Sequence, residues 1–310
     1  MAAPLPALAA EAQRLTASGV SAGGYMAGQL LVAHSGRFAG AGLIAAGPYD
    51  CALGSLQRAL GPCVSGKDLD VTTLRDAART AAGARRIDPL ENLRSARVWL
   101  FHGAADDKVG APVVSAARDF FASWLPQDGV VLVGNIPATH GLPTLASGAA
   151  CGTFESPYLN ACDYDAAGEL LRHLYGDLQP PATSTADPIA FDQRPFSEDL
   201  HATGYVFVPP ACRERGGCRI HIVLHGCQQS AEKIGVALVQ NAGYNRWAAT
   251  NNLIVLYPQA RASTVPLNPL GCWDWWGYSG NDYALRDAPQ MRAILQMVDT
   301  MAGTAAAPTR

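Results

Sequence analysis

Charge is scarce in this chain: Asp, Glu, Lys and Arg make up 16% of 310 residues, against 49% hydrophobic residues. The net charge is -3 and no basic run occurs, which removes the footing for a nucleic-acid partner or an anionic membrane surface. No apolar stretch approaches the roughly 18 residues that mark a membrane span, so no membrane partner is expected either. The start, Met1-Ala2-Ala3-Pro4-Leu5, lacks the basic and long apolar regions of a signal peptide. On that reading the protein is either not exported or is seen here without its signal. No cysteine pair has C-x-x-C spacing and the histidines are scattered, so no zinc site or redox motif is expected. The high apolar and low charged fractions fit a compact enzyme and exclude a disordered chain. They also suit an uncharged substrate.

Cysteine is the residue present in unusual number: Cys51, Cys63, Cys151, Cys162, Cys212, Cys218, Cys227 and Cys272. The count is even, and six of the eight form three close pairs. Eight buried thiols in a reducing compartment is one reading. Four disulfides in an oxidising compartment is the better one, and it makes the protein secreted (extracellular or periplasmic). The simplest pairing is Cys51–Cys63, Cys151–Cys162, Cys212–Cys218 and Cys227–Cys272, one of 105 formal connectivities.

Along the chain, β-like apolar runs alternate with helix-like segments, the pattern of an α/β protein with a mostly parallel central sheet and helices on both faces. Strands are expected at 41–46, 98–102, 130–133, 205–208, 220–225 and 253–257. Helices are expected directly after Ser21 and over 74–82, 113–124, 166–175 and 284–301. The run DLQPPATSTADP at 177–188 has linker composition. It either separates two domains or is a surface connection within one.

The chemistry starts at Gly19-Val20-Ser21-Ala22-Gly23, a match to G-x-S-x-G. That motif puts a serine on a cramped strand-to-helix turn above a sheet, where small neighbours are required. A Gly/Ser-rich turn alone is common, but two further features support the motif. Phe101-His102-Gly103-Ala104-Ala105-Asp106-Asp107 places an acid just past a strand, and the α/β-hydrolase pattern HG-x-x-D-x-x-V selects Asp106 over Asp107. Ala138-Thr139-His140-Gly141 supplies a loop histidine in third place, the chain order Ser, Asp, His of this fold. His102 and His225 each open a His-Gly step at a strand end, where a structural hydrogen bond is the expected role. The remaining histidines carry no motif.

Acyl transfer needs two N–H donors for the oxyanion. One is expected from Ala22, the residue after the nucleophile; the other normally comes from a turn preceding it in sequence. Only 20 residues precede Ser21. The fitting turn lies far downstream, in Ile220-His221-Ile222-Val223-Leu224-His225-Gly226-Cys227, which nominates the backbone of Cys227. The order of motifs therefore predicts a circularly permuted α/β-hydrolase fold, with residues 1–310 as one domain and 177–190 as a surface linker joining the permuted halves.

The runs LHGCQQ, NAGYNRWAATNNLIVLYPQA and GCWDWWGYSGNDYALRDAPQM resemble the extracellular polyhydroxybutyrate depolymerases, and specifically a permuted, single-domain group in which these blocks follow G-x-S-x-G. The resemblance touches residues 16–48, 97–109, 138–142 and 205–292. It implies a secreted serine carboxylic-ester hydrolase without cofactor or metal, acting on polyhydroxybutyrate or its oligomers. It places the triad on Ser21, Asp106 and His140 and the oxyanion donors on Ala22 and Cys227. Trp273, Trp275 and Trp276 are either core or, for at least one, a cover for the substrate chain near Cys227. A monomer is expected. Two rivals remain: a feruloyl or acetyl-xylan esterase with the same triad, and a non-catalytic adhesin or carbohydrate-binding module.

Overall fold

The computed structural model describes residues 2–304. Its strands in chain order are β1 (Leu15–Val20), β2 (Phe38–Ile44), β3 (Arg97–Phe101), β4 (Val130–Val133), the short β5 (Leu142–Thr144), β6 (Ala149–Ala150) and β7 (Leu159–Ala161), then β8 (Ile189–Asp192), β9 (Thr203–Phe207), β10 (Arg219–Leu224) and β11 (Leu253–Tyr257). Eight of them form one sheet in the order β4-β3-β2-β1-β10-β11-β9-β8, and β5, β7 and β6 form a small separate one. Every ladder in the large sheet is parallel except the two made by β9.

Side-chain alternation explains why the sheet sits between two apolar layers. In β10, Ile220, Ile222 and Leu224 enter one layer while Val223 enters the other; in β11, Ile254 and Leu256 oppose Leu253, Val255 and Tyr257. The helix after the serine, α1 (Ala22–Ala33), has all twelve residues buried. A helix apolar on every side belongs inside a protein, and this one packs on the sheet beside β1 and β2.

The strand order carries the permutation. Counted from Ile189 and continuing through the chain ends, the strands cross the large sheet as first, second, fourth, third, fifth, sixth, seventh, eighth. This is the α/β-hydrolase fold with its first four strands moved to the end of the sequence. The two ends also meet: the N–H groups of Leu8 and Ala10 both donate to the Met301 carbonyl, at 2.7 and 3.2 Å. The 177–188 segment, meanwhile, is laid along the helix Tyr244–Asn251. Ala182 N–H donates to Arg246 O at 2.9 Å, and Gln179 exchanges hydrogen bonds with the Asn251 side chain.

Several elements were not expected, among them β1, the short β5–β7 and β8, and two differences have a clear physical reason. Leu15–Val20, with the sequence LTASGV, is the central strand, fully buried, yet its small residues give no apolar run. The last helix begins at Pro289 rather than 284. Proline has no N–H to lose at a first helical position, and the preceding residues are held as loop by Tyr49 Oη–H donating to Ala284 O at 2.8 Å. All eight cysteines are paired, as Cys51–Cys63, Cys151–Cys162, Cys212–Cys218 and Cys227–Cys272.

Candidate active site

Ser21 sits at the junction of β1 and α1 with φ 54° and ψ -119°, a conformation that side chains other than glycine enter only at a cost. The surroundings hold it there. Ser21 N–H donates to Ile44 O at 2.8 Å and Tyr25 N–H donates to Ser21 O at 3.0 Å. The flanking glycines are needed for space. A Cβ on Gly19 would lie 2.4 Å from the Gly23 carbonyl carbon, and one on Gly23 would lie 2.3 Å from the Leu224 carbonyl oxygen. The motif glycines thus let the end of β10 approach the serine turn.

Asp106 follows β3 and His140 follows β4. His140 Nδ1 meets Asp106 Oδ2 at 2.8 Å, with the Asp106 side chain wholly shielded and that of His140 12% exposed. Oδ1 accepts from the N–H groups of Lys108 and Val109 at 2.8 and 3.0 Å. Burial works to raise the Asp106 pKa. The hydrogen bond and charge of His140 and the two backbone donors outweigh it, and the carboxyl is held below its usual range. Asp107 is 74% exposed and pairs only with Lys108. The two loops are bound together: Ala105 N–H donates to Ala138 O at 3.0 Å, and a Cβ on Gly103 would fall 2.2 Å from that oxygen.

Ser21 and His140 line one pocket of about 160 Å³, together with Phe154, Tyr158, Gly226, Cys227, Gln228 and Gln229. A Cβ placed on Gly226 would lie 3.6 Å from Ser21 Cβ, so the turn after β10 lies directly against the Ser21 turn. His225 shapes that turn. Its Nε2 accepts from Ala260 N–H at 3.0 Å, which leaves the proton on Nδ1, 2.7 Å from Gly226 O. Burial lowers its pKa to about 4, so the ring is neutral at ordinary pH. His102 takes a comparable part, with Nε2 at 3.0 Å from Val109 O.

The tryptophans divide. Trp273 is completely buried, beside the His225 ring at 5.5 Å, and lines neither pocket nor groove. Its nomination as a substrate contact is corrected: the CWDWW run dives into the core at its first indole. Trp275 stacks on Tyr25 of α1 with ring centroids 4.4 Å apart. Trp275 and Trp276 line a groove of about 450 Å³ with Leu56, Leu60, Leu267 and Leu270, and Cys227 belongs to both groove and serine pocket. Asp274 holds the bend by accepting from the N–H groups of Trp276, Gly277, Tyr278 and Ser279. Phe154, Tyr158, Gln228 and Gln229 are pocket residues that no motif disclosed. Gln228 and Gln229 stand inside LHGCQQ, but nothing in the run marks them as lining.

Residues 7–123 match the prolyl oligopeptidase family, a stretch holding Ser21 and Asp106 but ending before His140. A poly(3-hydroxybutyrate) depolymerase of Delftia acidovorans is 42% identical over 304 residues; the match takes 95% of this chain but 61% of the relative, which is the longer protein. A polyhydroxybutyrate depolymerase of Talaromyces funiculosus is 35% identical, covering 95% of this chain and 91% of that one. Among solved structures, the PHB depolymerase from Penicillium funiculosum superposes with a TM-score of 0.91 at 33% identity, over 98% of this chain and all of that one. A serine-to-alanine form of a PHB depolymerase complexed with an R3HB trimer matches equally well.

Proposed function

Because this chain belongs to the polyhydroxybutyrate depolymerase family, we propose that it is a serine carboxylic-ester hydrolase that cleaves polyhydroxybutyrate or its oligomers, with Ser21, His140 and Asp106 as its triad. The observation that carries this reading is one pocket shared by Ser21 on a strained turn and His140 already bonded to a shielded carboxylate. His140 Nε2 takes the Ser21 hydroxyl proton as Oγ attacks the ester carbonyl. Asp106 fixes the Nδ1–H tautomer and stabilises the imidazolium. The backbone N–H groups of Ala22 and Cys227 receive the developing oxyanion. Collapse of the tetrahedral adduct expels the alkoxide, which takes the proton from His140 and leaves an acyl-serine. Water, deprotonated by His140, then attacks the acyl carbonyl and frees the acid and Ser21.

Trp275 and Trp276 border the apolar groove that meets the pocket at Cys227, and they are proposed to cover the chain of the uncharged ester. Residues 2–304 act as one domain in this reading, since strands from before and after the 177–188 segment lie side by side around the nucleophile. Four disulfides point to an oxidising compartment outside the cytosol. Among the described residues no helix is long and apolar enough to cross a membrane. A hydrolysis panel tests the substrate: clearing of a polyhydroxybutyrate suspension and release of hydroxybutyrate oligomers are expected. Release of ferulate or acetate from cell-wall esters without clearing would transfer the site to the esterases of plant polysaccharides. No turnover of p-nitrophenyl butyrate would leave only a binding protein.

A further inference from the structure

We infer that Gln229 is a positioning residue that sets the distance between the oxyanion turn and the histidine loop. The inference rests on the proposed roles of Ser21, His140 and Cys227 and adds a residue to which no motif gave a role. Gln229 is 1% exposed yet lies at the wall of the serine pocket. Its Oε1 accepts from Gly226 N–H at 2.8 Å. Its Nε2 donates to Pro157 O at 3.2 Å and to Tyr158 O at 3.1 Å. Only this orientation of the amide works, because the reverse would turn an oxygen toward two carbonyls and an NH2 toward an N–H.

Each contact bears on the reacting groups. Gly226 is joined by one peptide bond to Cys227, the proposed second donor. The same glycine's carbonyl is held by His225 Nδ1–H at 2.7 Å. Both peptide planes at Gly226 are thereby fixed, one by Gln229 and one by His225, and a planar peptide carries the orientation of that carbonyl into the Cys227 N–H. On the far side, Tyr158 O also accepts from Leu142 N–H at 3.0 Å, two residues beyond His140. One amide therefore ties the turn that receives the oxyanion to the loop that carries the base. Those parts come from opposite sides of the 177–188 segment, and within the pocket wall Gln229 is the side chain bonded to both.

A donor displaced by a fraction of an ångström loses most in the transition state, where charge is greatest, and little in the ground state. Gln229→Met keeps the length and removes all three hydrogen bonds. Gln229→Glu keeps an acceptor for Gly226 but turns a carboxylate oxygen toward Pro157 and Tyr158. With p-nitrophenyl butyrate, both variants should lower kcat on the order of 10–100-fold with KM within about twofold. Binding of an alkyl boronic acid, which adds to the serine as a tetrahedral anion, should weaken by a similar factor. Thermal unfolding reports the folded fraction, which a purely structural role would move in place of the kcat-to-KM ratio. A folded variant with kcat near wild type, or a loss that follows the folded fraction alone in both variants, overturns the role of Gln229. The underlying site is tested separately: failure of a phosphonate to label Ser21 in the wild-type protein would overturn the triad, whatever the variants do.

Discussion

Asp106 holds three hydrogen bonds on a side chain shielded from solvent, and its carboxyl stays ionised below the usual carboxylate range. Replacing it by asparagine removes the charge that, in the proposed mechanism, stabilises a His140 imidazolium, and presents an NH2 or a neutral oxygen to Nδ1. Asp106→Asn should therefore fold and lose kcat on the order of 10³–10⁴-fold. Steady-state kinetics with a soluble ester, beside a circular dichroism spectrum, check both halves of that statement. Ser21→Ala removes the proposed attacking atom itself, so activity should fall on the order of 10³-fold or more. Near-wild-type turnover in a folded Ser21→Ala sample would end the assignment. The proposed triad positions stood out in the sequence because such chemistry needs fixed residue types in fixed local settings: a serine between glycines, an acid after a strand, a histidine third in order. Gln229, Tyr158 and Phe154 did not. Gln229 reaches Tyr158 across 71 residues, and no local pattern announces such a contact.

At the scale of elements, the seam between β1 and β10 joins the two halves of the chain. Their parallel ladder pairs Thr16 with His221 and Gly19 with Leu224. His221 bridges Thr16 Oγ1 at 2.6 Å and Ser18 Oγ at 2.8 Å, and Ser18 Oγ–H donates to Tyr244 Oη at 2.9 Å. Burial lowers the His221 pKa from 6.5 to about 3. Such a group leaves full stability above the unfolded value. As pH falls below about 6.5, the unfolded chain takes a proton that the folded one refuses, and stability is lost down toward pH 3. In His221→Gln the drop in unfolding free energy between pH 7 and pH 5 should shrink by about 2 kcal/mol, read from urea titrations at both pH values. An unchanged drop would show that His221 does not contribute. Gly23→Ala tests the same seam by volume: its methyl would lie 2.3 Å from Leu224 O, and backbone cannot give way there. The variant should lose both activity and several degrees of melting temperature, measured by calorimetry.

The seam also shows where sequence reading reached and where it stopped. β10 and β11 stood out because Ile220–Leu224, His221 apart, and Leu253–Tyr257 are apolar, as expected of strands buried on both faces. LTASGV did not, although it is equally buried, because space at the centre of the sheet selected small and hydroxylated residues. The tryptophans were ambiguous for a related reason. An indole on the core and one on a groove look alike in sequence, and only the bend held by Asp274 separates Trp273 from Trp275 and Trp276.

For the whole molecule, the order of parts differs from their arrangement in space. The ends meet at Leu8 and Met301, and the 177–188 segment lies on the surface. Joining the ends by a few residues and opening the chain near residue 184 should give a protein with the same strand neighbours and comparable kcat. Loss of folding in that variant would mean that the 177–188 segment is itself required. His34 and His225 join His221 in being buried with pKa values lowered to about 4. The molecule as a whole should therefore unfold more readily in mild acid than at pH 7 to 8.

Synthesis runs from the N-terminus, and this gives the position of Ser21 a meaning in time. Ser21 is made well before the strand that completes its turn; Thr16 and His221 are separated by 205 residues. Until that strand emerges, β1 has one unpaired edge and Gly23 faces an empty slot. Contacts of such range form late and slowly. The proposed oxyanion hole is thus incomplete until Arg219–Leu224 and the turn after it have been made, and a chain in transit through a membrane would be catalytically silent until they had arrived.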